Sequence, residues 1–167
     1  MIFKKFFNKD ADKVQYVANK FNLPLQIADL ILSRGISTEE EIEEFLDPKT
    51  LHNPFLLKGM QGLVDRVKIA KELGDKVLIF GDYDVDGVSA TAIMLKTLQK
   101  FGIKADFYLP NRYIDGYGLT NAVVDKIAKK YSPNLIITVD CGISCYQEVD
   151  YAKTLGIEII VTDHNEI

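Results

Sequence analysis

From Lys76 onward the sequence alternates short apolar runs with amphipathic stretches, and this alternation constrains the fold more than any other feature. The apolar runs predict four strands, at 77–80, 105–109, 135–139 and 157–162. Helical periodicity follows the first three, at 88–101, 121–131 and 146–155. Strands separated by helices of about 10–15 residues form βαβ units. The sequence therefore predicts an α/β fold with a mostly parallel sheet and helices on both faces.

The N-terminal part has a different pattern, which predicts a helical extension. Apolar residues recur at helical spacing over 25–32, and a hydroxyl followed by acids at 37–41 is typical of a helix start. Residues 60–73 have the pattern of a further amphipathic helix. We therefore expect an extension over 1–75 and an α/β domain over 76–167.

Composition and cysteine usage exclude several classes of protein. Hydrophobic residues make up 47% and charged residues 26% of the 167 residues, which are ordinary globular values. The apolar runs are too short for a membrane span, and the N-terminus lacks the apolar segment of a signal peptide. Cys141 and Cys145 are too few for a disulfide framework, so we expect packing roles and a cytoplasmic protein. The net charge of −4 argues against a protein that coats nucleic acid by bulk electrostatics.

Acidic side chains follow three of the four predicted strands. In parallel sheets, ligands bind beyond the carboxyl ends of the strands. Crowded carboxylates repel one another and need a cation. Oxygen ligands with one imidazole suit Mn²⁺, Mg²⁺ or Zn²⁺, whereas a structural zinc site prefers Cys and His. The pattern predicts a divalent-metal site at the strand ends, and the residues there are Asp82, Asp84, Asp86, Asp140, Asp163, His164 and Asn165.

Two other interpretations of the first acidic segment are weaker. An EF-hand loop needs a helix before it and Glu at its twelfth position, where Ile93 stands. A solvated surface turn rarely needs three like charges in alternation. After the third strand, we expect Ser144 to cap the following helix rather than to act as a nucleophile.

The linker after the second strand, residues 110–119, contains Arg112, two tyrosines and two glycines. One interpretation is a phosphate contact by Arg112, with a base or sugar resting on a tyrosine ring. The other is a glycine-bent turn with a surface arginine. The sequence leaves both open.

Three motifs resemble those of the DHH phosphoesterase superfamily: Asp82-x-Asp84-x-Asp86-Gly87, Val139-Asp140-Cys141-Gly142-Ile143 and Asp163-His164. Further segments at 45–48, 53–58 and 111–119 resemble the RecJ-type exonucleases within that superfamily. The likeness runs from about residue 25 to the end of the sequence.

The resemblance implies metal-dependent phosphodiester hydrolysis, as a 5′→3′ exonuclease on single-stranded DNA in recombination and repair. It implies two Mn²⁺ or Mg²⁺ ions, with Asp140 bridging them, and metal ligands Asp82, Asp84, Asp86, Asp140 and His164. The expected catalytic residues are four of these ligands: Asp84, Asp86, Asp140 and His164. The expected substrate contacts are Asn165 and Arg112. The family further implies helicase and single-strand-binding partners. We expect a monomer without membrane association.

Two departures from the family pattern limit what we expect of this chain. Asn165 stands where the third motif of the family has a second His, and Asn can donate a hydrogen bond but cannot shuttle a proton. The family also has a further Asp motif, a linker and a DHHA1-type domain that this sequence lacks. We therefore expect an N-terminal fragment with an incomplete DHH domain, weak Mn²⁺ binding and little or no activity alone.

Three alternative functions remain open on the sequence. One is a DHH phosphodiesterase acting on short oligonucleotides, cyclic dinucleotides or pyrophosphate. Another is a HAD-type aspartyl-phosphate phosphatase, although Gly81-Asp82-Tyr83 separates the strand from Asp84. The third is a non-catalytic nucleic-acid-binding module.

Overall fold

A computed structural model describes residues 10–49 and 51–164, which form two compact units divided between Leu56 and Leu57. Asn165 lies outside the described residues. The first unit is helical, with α1 (Ala11–Lys20), α2 (Leu25–Ser33), α3 (Glu39–Leu46) and a short 3₁₀ helix (Pro54–Leu56).

The first unit has a small core of its own. Val17 and Ile31 pack with Ile42 in one cluster of buried apolar side chains. The predicted cap of α3 is present as a reciprocal pair: Thr38 Oγ1 accepts from the Glu41 N–H at 3.2 Å, and the Glu41 carboxylate accepts from the Thr38 N–H at 3.0 Å. The sequence did not single out α1.

The second unit carries the sheet. Its elements, in chain order, are α4 (Met60–Leu73), β1 (Val77–Gly81), α5 (Val85–Phe101), β2 (Ala105–Tyr108), α6 (Asn121–Tyr131), β3 (Leu135–Val139), α7 (Tyr146–Thr154) and β4 (Glu158–Thr162). The strands lie in the order β2-β1-β3-β4, and every pair is parallel. The predicted α/β fold with a parallel sheet is confirmed.

Helices cover both faces of the sheet, as the unbroken apolar strands require. On one face, Leu78 and Phe80 of β1 pack with apolar residues of α6 and α7. On the other, Val77 and Ile79 pack with Ala70 of α4 and apolar residues of α5. Successive residues of a strand point to opposite faces, so each strand contributes to both clusters.

The helix α4 groups with the sheet in the second unit. Ala70 is buried against the strands, and Arg66 binds Asp75 at 2.8 Å and Glu158 of β4 at 2.6 Å. The division predicted from the sequence, at 75/76, places this helix in the extension and stays a prediction.

Two local predictions are wrong. The helix α5 begins at Val85, three residues earlier than predicted, because the Asp84 carboxylate accepts a hydrogen bond from the Gly87 N–H at 3.0 Å and caps the helix. Cys145, not Ser144, occupies the N-cap position of α7, and no side chain bonds to that helix start. Among the described residues, no helix combines the length and apolarity needed to cross a membrane.

Candidate metal centre

Register aligns the ends of three neighbouring strands. Gly81 of β1 pairs with Val139 of β3, which pairs in turn with Thr162 of β4. These three residues form the last row of the sheet. The residue that follows each of them is an aspartate, and the three are Asp82, Asp140 and Asp163. The sheet therefore gathers carboxylates at one edge by register alone.

Asp86, Asp140 and His164 converge at this edge. The His164 Nε2 lies 2.9 Å from Asp140 Oδ1 and 4.0 Å from Asp86 Oδ2. One ligand atom from each residue lies within 4.8 Å of the other two. Two carboxylates and one imidazole fit a divalent ion such as Mn²⁺ or Mg²⁺ by their donor chemistry.

The three side chains differ in their exposure to solvent. The Asp140 side chain is only 11% exposed, whereas those of Asp86 and His164 are more than 70% exposed. The site therefore has one anchored carboxylate at its base and two ligands open to solvent. A phosphate group has access to such a site from the solvent side.

The surroundings of Asp140 disfavour its ionised form. Burial raises its pKa, and the carboxylates of Asp86 and Asp84 raise the pKa further, against the hydrogen bond from His164. A bound cation reverses this balance because it favours the ionised form of every neighbouring carboxyl.

The backbone places the Asp140 carboxylate. Asp140 has φ +61°, a left-handed conformation that is uncommon for residues other than glycine. Its N–H donates to the Thr162 carbonyl of β4 at 3.0 Å. The strand pairing thus continues one residue beyond β3, and the turn there directs the side chain toward His164.

Asp82 and Asp84 lie outside the group of three. Asp82 is buried, and its carboxylate accepts from the Tyr83 N–H at 2.6 Å. Asp84 is exposed and caps α5. Their assignment as metal ligands stays a prediction.

Asp163 has a role that sequence reasoning did not assign. Its carboxylate accepts from the Ile143 N–H at 3.0 Å and from the His164 N–H at 2.8 Å. It thereby joins the turn that carries Asp140 to the segment that carries His164. Its place directly after β4 was the available signal.

The 110–119 linker brings Arg112 to the same edge of the sheet. The Arg112 guanidinium lies 5.7 Å from the centre of the Tyr83 ring, and Tyr83 meets Tyr117 edge to face at 6.4 Å. The carboxylate of Asp82 is the main cause of a raised pKa at Tyr117. Arg112 and two tyrosines therefore stand beside the acidic segment.

Asp115 fixes that linker. Its side chain is 7% exposed and accepts from the Tyr108 hydroxyl at 2.9 Å, the Asn111 N–H at 2.8 Å and the Lys126 ammonium at 2.8 Å. These contacts lower the pKa of Asp115, with Lys126 the largest cause. The linker is therefore a loop held in place by hydrogen bonds and an ion pair.

A groove of about 510 Å³ opens beside the three converging residues. Its lining includes Asp86, Asp140 and His164 together with apolar side chains of α5, namely Ala90, Ile93 and Met94. The groove therefore combines ion-binding groups with apolar surface.

Comparison with known proteins decides the family. Residues 76–167 match the family model described as "DHH family, N-terminal domain". The chain belongs to the DHH family. The match begins just before β1 and contains every residue of the metal centre described above.

Individual proteins similar to this DHH chain are RecJ exonucleases. The single-stranded-DNA-specific exonuclease RecJ of Bacillus subtilis is 42% identical over 159 residues, which are 94% of this chain and 20% of that protein. A solved structure of exonuclease RecJ bound to manganese is 33% identical, with a TM-score of 0.63 over 71% of this chain and 30% of that one. A structure of RecJ in complex with Mn²⁺ from Thermus thermophilus is 26% identical, with a TM-score of 0.63 over 96% of this chain and 22% of that one.

The predicted resemblance to RecJ-type members of the DHH family is confirmed. The chain spans about a fifth to a quarter of the length of the curated relatives it matches.

Proposed function

We propose that this chain is the N-terminal part of a metal-dependent exonuclease that hydrolyses single-stranded DNA in the 5′→3′ direction. The observation that carries the proposal is the convergence of Asp86, Asp140 and His164 at the aligned strand ends of a DHH-family domain. Relatives that match most of this chain are named single-stranded-DNA-specific exonucleases. Because the chain spans only part of their length, the activity is proposed for the longer protein.

We assign the cofactor as two Mn²⁺ or Mg²⁺ ions. Asp86, Asp140 and His164 would hold one ion. Asp82 and Asp84 would join Asp140 in holding the other. When bound, such ions stabilise the charge that develops on a phosphodiester during in-line displacement by water. The donor chemistry supports the assignment, since carboxylates and one imidazole are the ligands present.

The residues around the ions have separable tasks. The mostly buried Asp140 carboxylate would set the position of the centre, because its backbone is fixed by β4. The exposed His164 and Asp86 would complete the centre on the solvent side. No side chain needs to form a covalent intermediate in this scheme.

Arg112 is proposed to bind a phosphate of the DNA strand. Its guanidinium stands beside Tyr83, and a nucleobase has an exposed ring available on Tyr117, which is 70% exposed. Arginine forms strong charge-assisted hydrogen bonds with phosphate, and aromatic rings stack with bases of any sequence. Asn165 is proposed as a further hydrogen-bond donor to substrate.

The wider setting rests on the resemblance to RecJ-type members of the DHH family and on the sequence. We propose a cytoplasmic, monomeric protein that acts in DNA recombination and repair with helicase and single-strand-binding partners. Capture of a helicase or a single-strand-binding protein by the tagged full-length protein would support the partner assignment.

The decisive experiment is an exonuclease assay on 5′- and 3′-labelled single strands with Mn²⁺ or Mg²⁺. It uses a protein of the relatives' full length that contains this sequence, alongside the 167-residue chain. We expect degradation from the 5′ end by the full-length protein, and weak Mn²⁺ binding with poor degradation by the chain alone.

Asp140→Ala is the test variant for that assay, and Asp106→Ala, on the exposed part of β2, is its control. We expect cleavage to be abolished in the Asp140 variant, because it removes a central metal ligand, and the Asp106 variant to match the wild type. Unchanged turnover in Asp140→Ala would remove the proposed centre. Cleavage confined to dinucleotides would instead favour a phosphodiesterase of short oligonucleotides.

A further inference from the structure

Thr138 has a polar side chain in the middle of the apolar sheet. It lies on β3, is fully buried, and stands two residues before Asp140. Its neighbours on β3, Ile137 and Val139, are buried apolar residues. A buried hydroxyl needs a hydrogen-bond partner, and the identity of that partner indicates what the residue does.

The Thr138 hydroxyl closes the turn that carries Asp140. It donates to the Cys141 carbonyl at 2.8 Å. This hydrogen bond connects the residues on either side of Asp140, which has the left-handed backbone. Gly142 follows with φ +104°, and a Cβ there would lie 3.0 Å from Thr138 Oγ1. The turn is thus packed directly against the threonine.

Thr162 makes the matching contact from β4. Its hydroxyl donates to the Thr138 carbonyl at 2.6 Å, and its own carbonyl accepts the Asp140 N–H at 3.0 Å. Thr162 stands two residues before His164. The two threonines therefore link the strand ends that carry Asp140 and His164.

We propose that Thr138 and Thr162 are positioning residues for the metal centre, and that their hydroxyls hold the Asp140 carboxylate and the His164 imidazole at ion-binding separation. This proposal rests on the proposed function, because it assigns the two threonines a task toward the same ions. Neither hydroxyl is a ligand: Thr138 acts through the Cys141 carbonyl and Thr162 through the backbone of β3. Groups that orient metal ligands commonly change metal affinity by about 10–100-fold when removed.

The first test is Mn²⁺ binding by the 167-residue chain, measured by titration calorimetry and by the electron paramagnetic resonance of free Mn²⁺. Thr138→Val keeps the shape and removes the hydroxyl, and Thr138→Ser restores the hydroxyl. We expect the Kd to rise about tenfold or more in the valine variant and to stay within about threefold in the serine variant. Equal affinity in the valine variant and the wild type would overturn the proposal.

Thr91→Val is the matched control. Thr91 lies on α5, is 3% exposed, and its hydroxyl has no hydrogen-bond partner among the described residues. The variant removes the same hydroxyl from a buried threonine whose side chain makes no hydrogen bond to the turn. We expect the Kd of Thr91→Val for Mn²⁺ to equal that of the wild type. A tenfold loss of Mn²⁺ affinity in this variant, as large as that expected for Thr138→Val, would contradict a specific role for Thr138.

The second test needs no metal. Hydrogen exchange followed by NMR reports on the Asp140 N–H, whose acceptor is the Thr162 carbonyl. We expect exchange about tenfold faster in Thr138→Val and unchanged in Thr138→Ser. Absence of Mn²⁺ binding by the wild-type chain would count against the proposed metal centre, whereas an unchanged exchange rate in Thr138→Val would overturn the inference about the threonines.

Thr162→Val covers the case in which Thr138→Val fails to fold. Thr162 is half-buried at the end of an outer strand of the described sheet, so its replacement disturbs the core less. We expect the same direction of change in Mn²⁺ affinity and in Asp140 exchange. Wild-type values for both in this variant would overturn the proposal.

Discussion

At the scale of single residues, the arrangement of the acids depends on a very close contact between α5 and β1. Gly87 lies in the first turn of α5, and a Cβ there would stand 2.4–2.7 Å from backbone atoms of Asp82. Only a hydrogen fits in that space. This contact fixes the distance between Asp82 at the end of β1 and the acids at the start of α5.

We predict that Gly87→Ala disrupts the centre. The added methyl group has to push the first turn of α5 away from Asp82, and such overpacking costs about 1–3 kcal/mol or more. We expect a lower free energy of unfolding in urea and weaker Mn²⁺ binding. Gly62→Ala is the control, because a Cβ at that position on α4 meets nothing within 4 Å. Wild-type stability in Gly87→Ala would contradict the close packing.

Arg112 carries the second prediction at this scale. We expect Arg112→Ala to raise the KM of the full-length protein for single-stranded DNA about tenfold to a hundredfold, since a charge-assisted hydrogen bond to phosphate contributes about 1.5–3 kcal/mol to binding. Arg112→Lys keeps the charge and is expected to recover part of the loss. Steady-state kinetics measure both, with exposed Arg34→Ala as the control. An unchanged KM in Arg112→Ala would favour the interpretation of a surface turn.

At the scale of elements, the loop between β2 and α6 depends on Asp115. Its carboxylate joins β2 through Tyr108, the loop through Asn111 and α6 through Lys126. The loop that places Arg112 is therefore held to α6 by the ion pair between Asp115 and Lys126.

We predict that Asp115→Asn lowers the free energy of unfolding by about 2 kcal/mol at pH 7, the usual size for hydrogen bonds to a buried charge. The pKa of Asp115 is lowered in the folded state, so its stabilisation is present above the unfolded pKa of about 3.9 and is lost as the pH falls through the folded pKa. Urea unfolding at pH 7 and pH 3 measures this. The difference between variant and wild type is expected to shrink at pH 3, and a constant difference would contradict the ionic role. Asp106→Asn serves as the control.

The elements themselves were largely predictable from the sequence. Parallel strands buried on both faces are unbroken apolar runs, and 135–139 is an example that the structure reproduces residue for residue. The start of α5 was missed because Asp84 belongs to an acidic pattern and to a helix cap at once, and the pattern suggested a loop. Thr138 was missed because a β-branched residue inside an apolar run is an ordinary strand residue. The left-handed backbone of Asp140 has only a weak sequence signal, since aspartate is enriched in that conformation but adopts it in few of its occurrences.

At the scale of the whole molecule, the two units have separate cores. The cluster around Ile42 contains residues of the first unit alone, and both clusters on the sheet contain residues of the second alone. Stability is therefore expected to divide between the units.

We predict that Ile42→Ala and Ile137→Ala act on different units. Both side chains are almost completely buried, and truncation of such a residue costs about 2–5 kcal/mol. Hydrogen exchange is expected to rise in α1–α3 for the first variant and in the strands for the second. We expect the Ile42→Ala variant to keep Mn²⁺ binding and the Ile137→Ala variant to lose it. Equal acceleration across both units in either variant would contradict separate cores.

The order of the strands also explains why a crevice lies where it does. From β1 the chain passes through α5 on one face of the sheet to β2, and from β3 it passes through α7 on the opposite face to β4. Two neighbouring strands thus send their connections in opposite directions, and a gap between those connections is unavoidable at such a switch in winding. The topology therefore places the centre at this edge of the sheet, and the side chains there determine its detailed geometry and what it binds. Exchanging those side chains would leave a vacant cleft in the same place, which makes this edge of the sheet a natural location for redesign.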